Sequence, residues 1–229
     1  MAEQLPIKFD FRDDHKFDDY FPGTNQEIID HLKRFSSGSG EEFIYLYGNK
    51  GYGKTHLLHA CCHEANQNGL SSFYIELTKP LSHDPDLLTG LENFDIVCVD
   101  NIDFLERNEE WELAFFNFFN QFRDRNRRLL VSAVSAPNVL SFKLPDLHSR
   151  INWGLSLKIK PFDDADKMAA LSYKAKQKGF EISPKTAQYL LSHYDRKLAS
   201  LWKMLEELDS ASLAAQRKLT IPFLKKLME

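Results

Sequence analysis

One segment restricts the fold of this chain more than any other, and it occupies residues 48–55. Its sequence is Gly48-Asn49-Lys50-Gly51-Tyr52-Gly53-Lys54-Thr55, which satisfies the pattern G-x-x-x-x-G-K-[ST] at every defined position. The apolar, aromatic run at residues 43–47 predicts a buried strand before it, and apolar residues at helical spacing predict a helix after it. Glycines in such a turn allow successive backbone N–H groups to point at phosphate oxygens. The segment therefore predicts a phosphate-binding loop (P-loop) between a strand and a helix.

The end of another predicted strand supplies a carboxylate that suits the same chemistry. In a P-loop the lysine reaches the β- and γ-phosphates and the Ser/Thr hydroxyl ligates Mg²⁺, which assigns these roles to Lys54 and Thr55. A second carboxylate near the metal is then expected, and Asp100 follows the apolar residues 96–99 as a Walker B candidate. A polar strand end without a ligand is the alternative interpretation of Asp100.

The residue after Asp100 bears on catalysis. It is Asn101, at a position where many hydrolytic P-loop enzymes carry a second carboxylate that orients the attacking water. An amide cannot take up a proton as a carboxylate does. Because general-base assistance is worth about 10²- to 10⁴-fold in rate, the sequence predicts slow intrinsic hydrolysis.

Strand and helix patterns alternate through roughly the first 160 residues. Strands are predicted at residues 43–47, 72–77, 96–99, 129–134 and 155–159. A capping box at residues 24–27, with Thr24 as the N-cap and Glu27 reaching back, predicts the start of the first helix. A later helix carries a stripe whose spacing predicts burial in the core, namely Trp111, Phe115, Phe118, Phe119 and Phe122. The alternation predicts an α/β fold with a mostly parallel five-stranded sheet.

The last 70 residues or so have a different pattern. From about residue 161 only helical periodicity remains, and Ser183 is a predicted N-cap before Pro184. These helices predict a small all-α lid packed on the α/β core.

Composition excludes several classes of protein. The longest apolar stretches fall short of the about 18 residues that cross a bilayer, and the first 20 residues lack the apolar region of a secretory signal. Three cysteines, of which Cys61 and Cys62 are adjacent, form no disulfide framework, so we expect a cytoplasmic protein. The net charge of −4 argues against nucleic acid as the first partner.

Several motifs resemble the AAA+ core of the family of the bacterial replication initiator DnaA, over about residues 14–229. They are the P-loop with Leu57-Leu58-His59-Ala60 after it, Asp100-Asn101-Ile102, and Phe115-Phe116-Asn117-Phe118-Phe119-Asn120. The segment around Phe17, Phe21 and Pro22 resembles the part of the initiator that packs beside adenine. The resemblance implies an AAA+ base at residues 14–160, a helical lid at residues 161–229, and ADP or ATP with Mg²⁺ as ligands.

The implied ligand contacts can be placed on this sequence residue by residue. The nucleotide contacts would be Phe17, Phe21, Pro22, Gly48, Asn49, Gly51, Tyr52, Gly53, Lys54, Thr55, His56 and Asn101. The metal contacts would be Thr55 and Asp100.

Helical spacing separates Phe116 from the aromatic stripe of the same helix. Phe116 is therefore a better candidate for a protein interface than the stripe residues are.

Residues 144–154 are similar to the segment in which short members of the family carry an arginine finger, and this implies that Arg150 acts in trans on ATP bound to the initiator DnaA. An arginine supplied in this way accelerates hydrolysis by about 10³- to 10⁵-fold in well-studied systems. The resemblance also implies the DNA-loaded sliding clamp as a partner, contact with DNA only through the clamp, and negative regulation of initiation. The alternative interpretation of Arg150 is a surface arginine paired to Asp146.

The first 13 residues offer a means of binding the clamp. Gln4-Leu5-Pro6-Ile7-Lys8-Phe9 resembles the short peptides that enter the hydrophobic pocket of the clamp. Gln4 would form a hydrogen bond, and Leu5, Ile7 and Phe9 would be the apolar anchors. Lys8 departs from the apolar or proline residue usual there, and a terminus without a role is the alternative.

Two further departures from the family pattern concern the nucleotide. Val134 stands where the family often has an aspartate, and Ala199 where a nucleotide-contacting arginine is expected. With Asn101, they favour a module that holds nucleotide, most simply ADP, as a structural ligand.

Two alternative functions stay open: an autonomous P-loop ATPase such as a helicase loader, and a clamp-binding scaffold without influence on chemistry. A homo-oligomer is compatible with each. A metal site at His56, His59, Cys62 and His63 is a minor candidate.

Overall fold

The computed structural model of the protein describes residues 15–78 and 84–215, without the side chains of residues 199 and 210–215. At its centre is one sheet of five parallel strands in the order β2-β3-β4-β1-β5. The strands are β1 (Phe43–Tyr47), β2 (Ser72–Glu76), β3 (Ile96–Asp100), β4 (Arg128–Ala133) and β5 (Leu155–Lys158). Because all five strands are parallel, their carboxyl ends meet at one edge of the sheet. The predicted fold class is confirmed.

Helices cover both faces of this sheet, which is why apolar residues dominate its central strands β1, β3 and β4. On one face α1 (Gln26–Ser36) and α2 (Lys54–Gln67) pack on side chains such as Ile44 and Leu46 of β1. On the other face α3 (Glu109–Asp124) and α4 (Pro145–Ile151) pack on Phe43 and Tyr45. The aromatic stripe of α3 is buried in this second layer, as the sequence predicts.

Three further helices form a separate apolar cluster. They are α5 (Asp164–Gln177), α6 (Pro184–His193) and α7 (Leu198–Ala215), and their shared core includes Leu171, Leu190, Leu201 and Leu205. The Ser183 Oγ accepts a hydrogen bond from the backbone N–H of Thr186 at 3.2 Å, which is the predicted cap of α6. The helical lid is therefore present as far as the described residues extend.

The start of α1 differs from the expected capping box. Thr24 lies inside a 3₁₀ turn at Gly23–Asn25, and α1 begins at Gln26 without a side-chain cap. Asn25 is buried, accepts from the backbone N–H of Lys160 at 2.8 Å and donates to the carbonyl of Lys160 at 3.2 Å. This side chain joins the start of α1 to the chain beyond β5, so a long-range contact replaces the local cap.

Candidate functional site

A cavity of about 700 Å³ opens at the carboxyl ends of the strands, between the sheet and the C-terminal helices. The P-loop residues 50–55 form its floor. The segment before α1 and the residues after β3 form its sides, and α5 and α7 close it with Lys174, Leu198, Trp202 and Glu206. The α/β part and the C-terminal helices therefore both contribute residues to one site.

Gly53 is the P-loop residue at which a side chain is excluded most strongly. Its φ is +87°, in the left-handed region that favours glycine. A Cβ at this position would lie 2.7 Å from Cε2 of Tyr20. The Tyr20 hydroxyl donates to the carbonyl of Tyr52 at 3.3 Å, so the tyrosine ring is held against the loop. Any side chain at residue 53 would therefore strain the loop and displace the ring of Tyr20.

Lys54 begins α2 and turns back into the loop. Its side chain is buried, and Nζ donates to the carbonyl of Gly48 at 2.6 Å and to that of Asn49 at 3.3 Å. Burial lowers the pKa of Lys54, and the nearby carboxylates of Asp100 and Asp103 oppose that shift. The ammonium group lies at the centre of the loop, where it would meet a bound phosphate.

Asp100 ends β3 and is fully buried. Its Oδ2 accepts from the Thr55 hydroxyl at 2.6 Å and from the Tyr74 hydroxyl at 3.1 Å, and its Oδ1 accepts from the Ser132 hydroxyl. Burial and the neighbouring Asp100 raise the pKa of Tyr74. The structure thus brings Thr55 and Asp100 together, and it adds Tyr74 and Ser132 to the set. Neither addition has a motif, and only the pairing of β2 and β4 with β3 places them there.

The pair of Thr55 and Asp100 fits a magnesium ion. Mg²⁺ prefers hard oxygen ligands and is often bound by one or two protein oxygens together with substrate phosphates. A hydroxyl and a carboxylate oxygen beside a P-loop supply that donor set. The minor histidine and cysteine candidate is not assembled, because residues 15–78 and 84–215 contain no group of three His, Cys, Asp or Glu suited to a metal. Cys62 instead contacts the carbonyl of Phe73, and His56 hydrogen-bonds to that of Lys16.

Asn101 lines the cavity in a left-handed conformation with φ of +64°. Its Nδ2 donates to the carbonyl of Leu77 at 3.3 Å and to Glu76 at 3.4 Å, so its amide is anchored to the end of β2. Asp103 lies three residues further on, also lines the cavity, and accepts from the backbone N–H of Val134 at 3.3 Å. Burial raises the pKa of Asp103. The sequence patterns did not single out this carboxyl group.

Of the other predicted nucleotide contacts, some line the cavity and some do not. Phe21 and His56 line the cavity, as does Tyr20, whose ring centroid lies 5.7 Å from that of His56. Burial lowers the pKa of His56 to about 4. Phe17 is buried in the core layer of α1 and α2, and neither it nor Pro22 is part of the cavity lining.

Arg150 lies near the end of α4, away from this cavity. It is half-buried and is not part of the cavity lining. Among the residues that the structure describes, its guanidinium forms no hydrogen bond and no ion pair, and the alternative pairing with Asp146 is not formed. The short helix that carries Arg150 is anchored by Leu147 and Ile151, which are buried against α3. The guanidinium thus has no hydrogen-bond or ion-pair partner within this part of the chain.

The remaining predictions concern residues that are not part of the cavity. The predicted clamp anchors Gln4, Leu5, Ile7 and Phe9 lie outside the described residues, as does the predicted helix after Thr220. Phe116 is partly buried against the core layer of α3. Along residues 15–78 and 84–215 every helix is too short or too polar to cross a membrane.

The fold and the loop define a P-loop domain of the AAA+ class. Residues 11–158 match the family model of the bacterial DnaA ATPase domain, and residues 164–228 match that of the lid domain of Hda. Because the first match covers more than half of the chain, this chain belongs to the family of bacterial DnaA ATPase domains. The resemblance drawn from the motifs is confirmed.

Solved structures show the same architecture. AMPPCP-bound DnaA from Aquifex aeolicus is 20% identical, with a TM-score of 0.73 over 86% of this chain and 65% of that one. Domain III of DnaA from Thermotoga maritima is also 20% identical, with a TM-score of 0.76 over 94% of this chain and 95% of that one. The Holliday junction branch migration motor RuvB of T. maritima is 18% identical, with a TM-score of 0.68 over 93% of this chain and 71% of that one. The chain spans 65% of the length of the A. aeolicus protein, and at these identities the likeness shows the fold alone.

Proposed function

We propose that this protein regulates the initiation of DNA replication. In this proposal it holds ADP or ATP in its own cavity and, with the DNA-loaded sliding clamp, uses Arg150 to stimulate hydrolysis of ATP bound to the initiator DnaA. The observation that carries the proposal is the state of Arg150, whose guanidinium has no partner among the described residues and lies outside the cavity lining. A guanidinium in that state is available to a neighbouring molecule.

Nucleotide binding would rest on the residues assembled at the cavity. Lys54 and the P-loop N–H groups would hold the phosphates, and Tyr20 and Phe21 would lie against the base. Thr55 and Asp100 would hold Mg²⁺, which when bound neutralises phosphate charge. AMPPCP in the A. aeolicus relative supports a nucleotide in the same fold.

Slow turnover of that nucleotide follows from the absence of a proton acceptor in the position after Asp100. The Asn101 amide is tied to Leu77 and Glu76, and it cannot act as a general base. The nucleotide would then set the shape of this protein, and hydrolysis would occur on the partner. A guanidinium placed against the γ-phosphate of a neighbour stabilises the charge that develops there, by about 10³- to 10⁵-fold in rate.

Recruitment to the clamp is proposed for residues 1–13. Gln4 would hydrogen-bond in the clamp pocket, and Leu5, Ile7 and Phe9 would fill it, so that DNA is contacted only through the clamp. A variant with Gln4→Ala and Leu5→Ala should lose clamp binding, and with it the stimulation that depends on the clamp, while nucleotide binding persists. Undiminished clamp binding by this variant, measured by surface plasmon resonance, would remove these residues from the proposal.

The deciding experiment measures hydrolysis of DnaA-bound ATP with and without this protein and a DNA-loaded clamp. Arg150→Ala should abolish the stimulation and leave binding to the clamp unchanged. Ser149→Ala, a change at the exposed neighbouring residue of the same helix, is the matched control and should stimulate normally. Full stimulation by Arg150→Ala contradicts the proposed role of Arg150.

An autonomous ATPase is the second candidate, because Lys54 and Thr55 line the cavity and Asp100 accepts a hydrogen bond from Thr55. The same assay without DnaA separates the two. Brisk turnover by the isolated protein, together with indifference to DnaA and the clamp, favours the autonomous enzyme over the regulator.

A further inference from the structure

Glu112 is a buried carboxylate that the nucleotide cavity does not explain. It lies near the start of α3, is fully buried (0% exposed), and is not part of the cavity lining. Burial of a charged carboxylate is costly unless hydrogen bonds replace the water that it loses. The partners of Glu112 therefore indicate what the side chain does.

Both oxygens of Glu112 accept a backbone N–H from outside α3. Oε1 accepts from Arg107 at 2.9 Å, and Oε2 accepts from Leu144 at 2.9 Å. Arg107 has φ of +66°, in a region that residues other than glycine seldom adopt. It ends the connection that leaves β3, in which Asn101 and Asp103 line the nucleotide cavity. One side chain thus joins the turn beyond the cavity to the residue before α4.

Leu144 is the residue from which α4 starts, and α4 carries Arg150. This helix has seven residues and no side-chain cap at its N-terminus. So short a helix is unstable by itself, and its position depends on tertiary contacts. Those contacts are the buried side chains of Leu147 and Ile151 and the hydrogen bond from Leu144 to Glu112. The place of the guanidinium therefore depends on Leu144 as well as on Leu147 and Ile151.

We propose that Glu112 is a positioning residue for Arg150. By accepting the Leu144 N–H and the Arg107 N–H together, it sets where α4 begins relative to the turn that leaves the nucleotide cavity, and so directs the guanidinium toward a neighbouring molecule. This inference rests on the proposed role of Arg150. It adds a residue that touches neither nucleotide nor partner but acts on the partner's reaction through α4.

A matched control lies one helical turn away. Glu109 contacts the segment before α4, through an ion pair of its Oε1 with Nζ of Lys143, the residue before Leu144, at 2.7 Å. Both side chains of that pair are exposed, by 74% for Glu109 and 54% for Lys143. Exposed pairs of this kind contribute little, so Glu109→Gln removes a neighbouring carboxylate without loosening α4. Burial and the two backbone N–H donors distinguish Glu112 from Glu109.

The test uses Glu112→Gln in the full chain, assayed with ATP-loaded DnaA and a DNA-loaded sliding clamp. Glutamine keeps one acceptor oxygen but turns an NH₂ group toward the second backbone N–H, so one of the two bonds is lost. A small misplacement of a reacting group costs about 10²-fold in rate. We therefore expect the maximal rate of stimulated hydrolysis to fall about 10- to 100-fold. The protein concentration for half-maximal stimulation and the affinity for ADP should stay unchanged, and amide hydrogen exchange should accelerate at residues 144–151.

The controls keep this inference separate from the proposed function. Rates are expressed per ADP-binding molecule, and if Glu112→Gln fails to bind ADP, Glu112→Asp, which keeps the charge but is one methylene shorter, is judged by the same criteria. Loss of stimulation with Arg150→Ala but a normal maximal rate with the Glu112 variant overturns the positioning role alone. Normal stimulation with Arg150→Ala overturns the proposed function itself. An equal loss with Glu109→Gln also contradicts a role specific to Glu112.

Discussion

Two glycines of the P-loop form a matched pair that separates backbone strain from steric overlap. Gly51 and Gly53 have φ of +86° and +87°, so alanine would be equally strained at both. A Cβ at Gly51 would have no heavy atom within 4 Å, whereas one at Gly53 would lie 2.7 Å from the ring of Tyr20. An L-residue in the left-handed region costs about 1–2 kcal/mol. We expect Gly51→Ala to lower the free energy of unfolding by about that amount.

The substitution Gly53→Ala adds the overlap with Tyr20 to the same strain. The tyrosine ring cannot move aside freely, because its hydroxyl donates to the carbonyl of Tyr52 and its ring packs against that of His56. Loss of the hydrogen bond alone would cost about 0.5–1.5 kcal/mol, and overpacking typically costs about 1–3 kcal/mol. Gly53→Ala should therefore destabilise the protein by about 1–3 kcal/mol more than Gly51→Ala.

Urea unfolding of the nucleotide-free protein, followed by circular dichroism, measures both losses. The same two substitutions in a Tyr20→Ala background provide the decisive comparison, because the overlapping ring is then gone. The difference between them should shrink to less than about 0.5 kcal/mol, the range of simple additivity. Equal losses in the wild-type background, or a difference that persists after Tyr20→Ala, would refute the steric explanation.

Three other predictions concern pH, metal and the core. Because burial depresses the pKa of His56 from 6.5 to about 4, the unfolded chain takes up the proton first, so stability should decline as pH falls from 6.5 to about 4. His56→Gln should flatten that decline in urea titrations. Asp100→Asn should abolish the gain in nucleotide affinity that calorimetry detects on adding Mg²⁺, with wild-type dependence as the contrary result. Phe115→Ala, at a fully buried site, should cost about 3–5 kcal/mol by urea unfolding, clearly more than Phe116→Ala at its partly buried neighbour.

The sequence was sufficient for those parts of the fold that depend on local pattern. All five strands appear where apolar runs predict them, with shifts of one residue such as the start of β4 at Arg128. The aromatic stripe of α3 is core, and Ser183 caps α6. Each of these features lies within a single helix or strand or at its end, so a local pattern is enough to indicate it.

Features that depend on contacts between distant parts of the chain had no local sequence pattern to indicate them. Asn25 bonds to Lys160, 135 residues away, and this contact displaces the capping box expected at Thr24. Tyr74 reaches Asp100 only because β2 pairs with β3 in one particular register. Glu112 has the sequence context of an ordinary exposed charge near the start of a helix. Its burial follows from the passage of Leu144 over α3, which no local pattern encodes.

The hydrogen bonds around Asp100 show how the chain compensates a buried carboxylate beside its P-loop. A fully buried carboxylate needs compensation, and here hydroxyl groups of Thr55, Tyr74 and Ser132 donate to it. Compensation from within the chain means that the fold of this site does not require a metal. The position of Asp100 is therefore explained by packing as well as by the proposed nucleotide binding, whereas no hydrogen bond or ion pair among the described residues accounts for the Arg150 guanidinium. The Arg150 guanidinium is therefore the group that the proposed function explains and that internal packing does not.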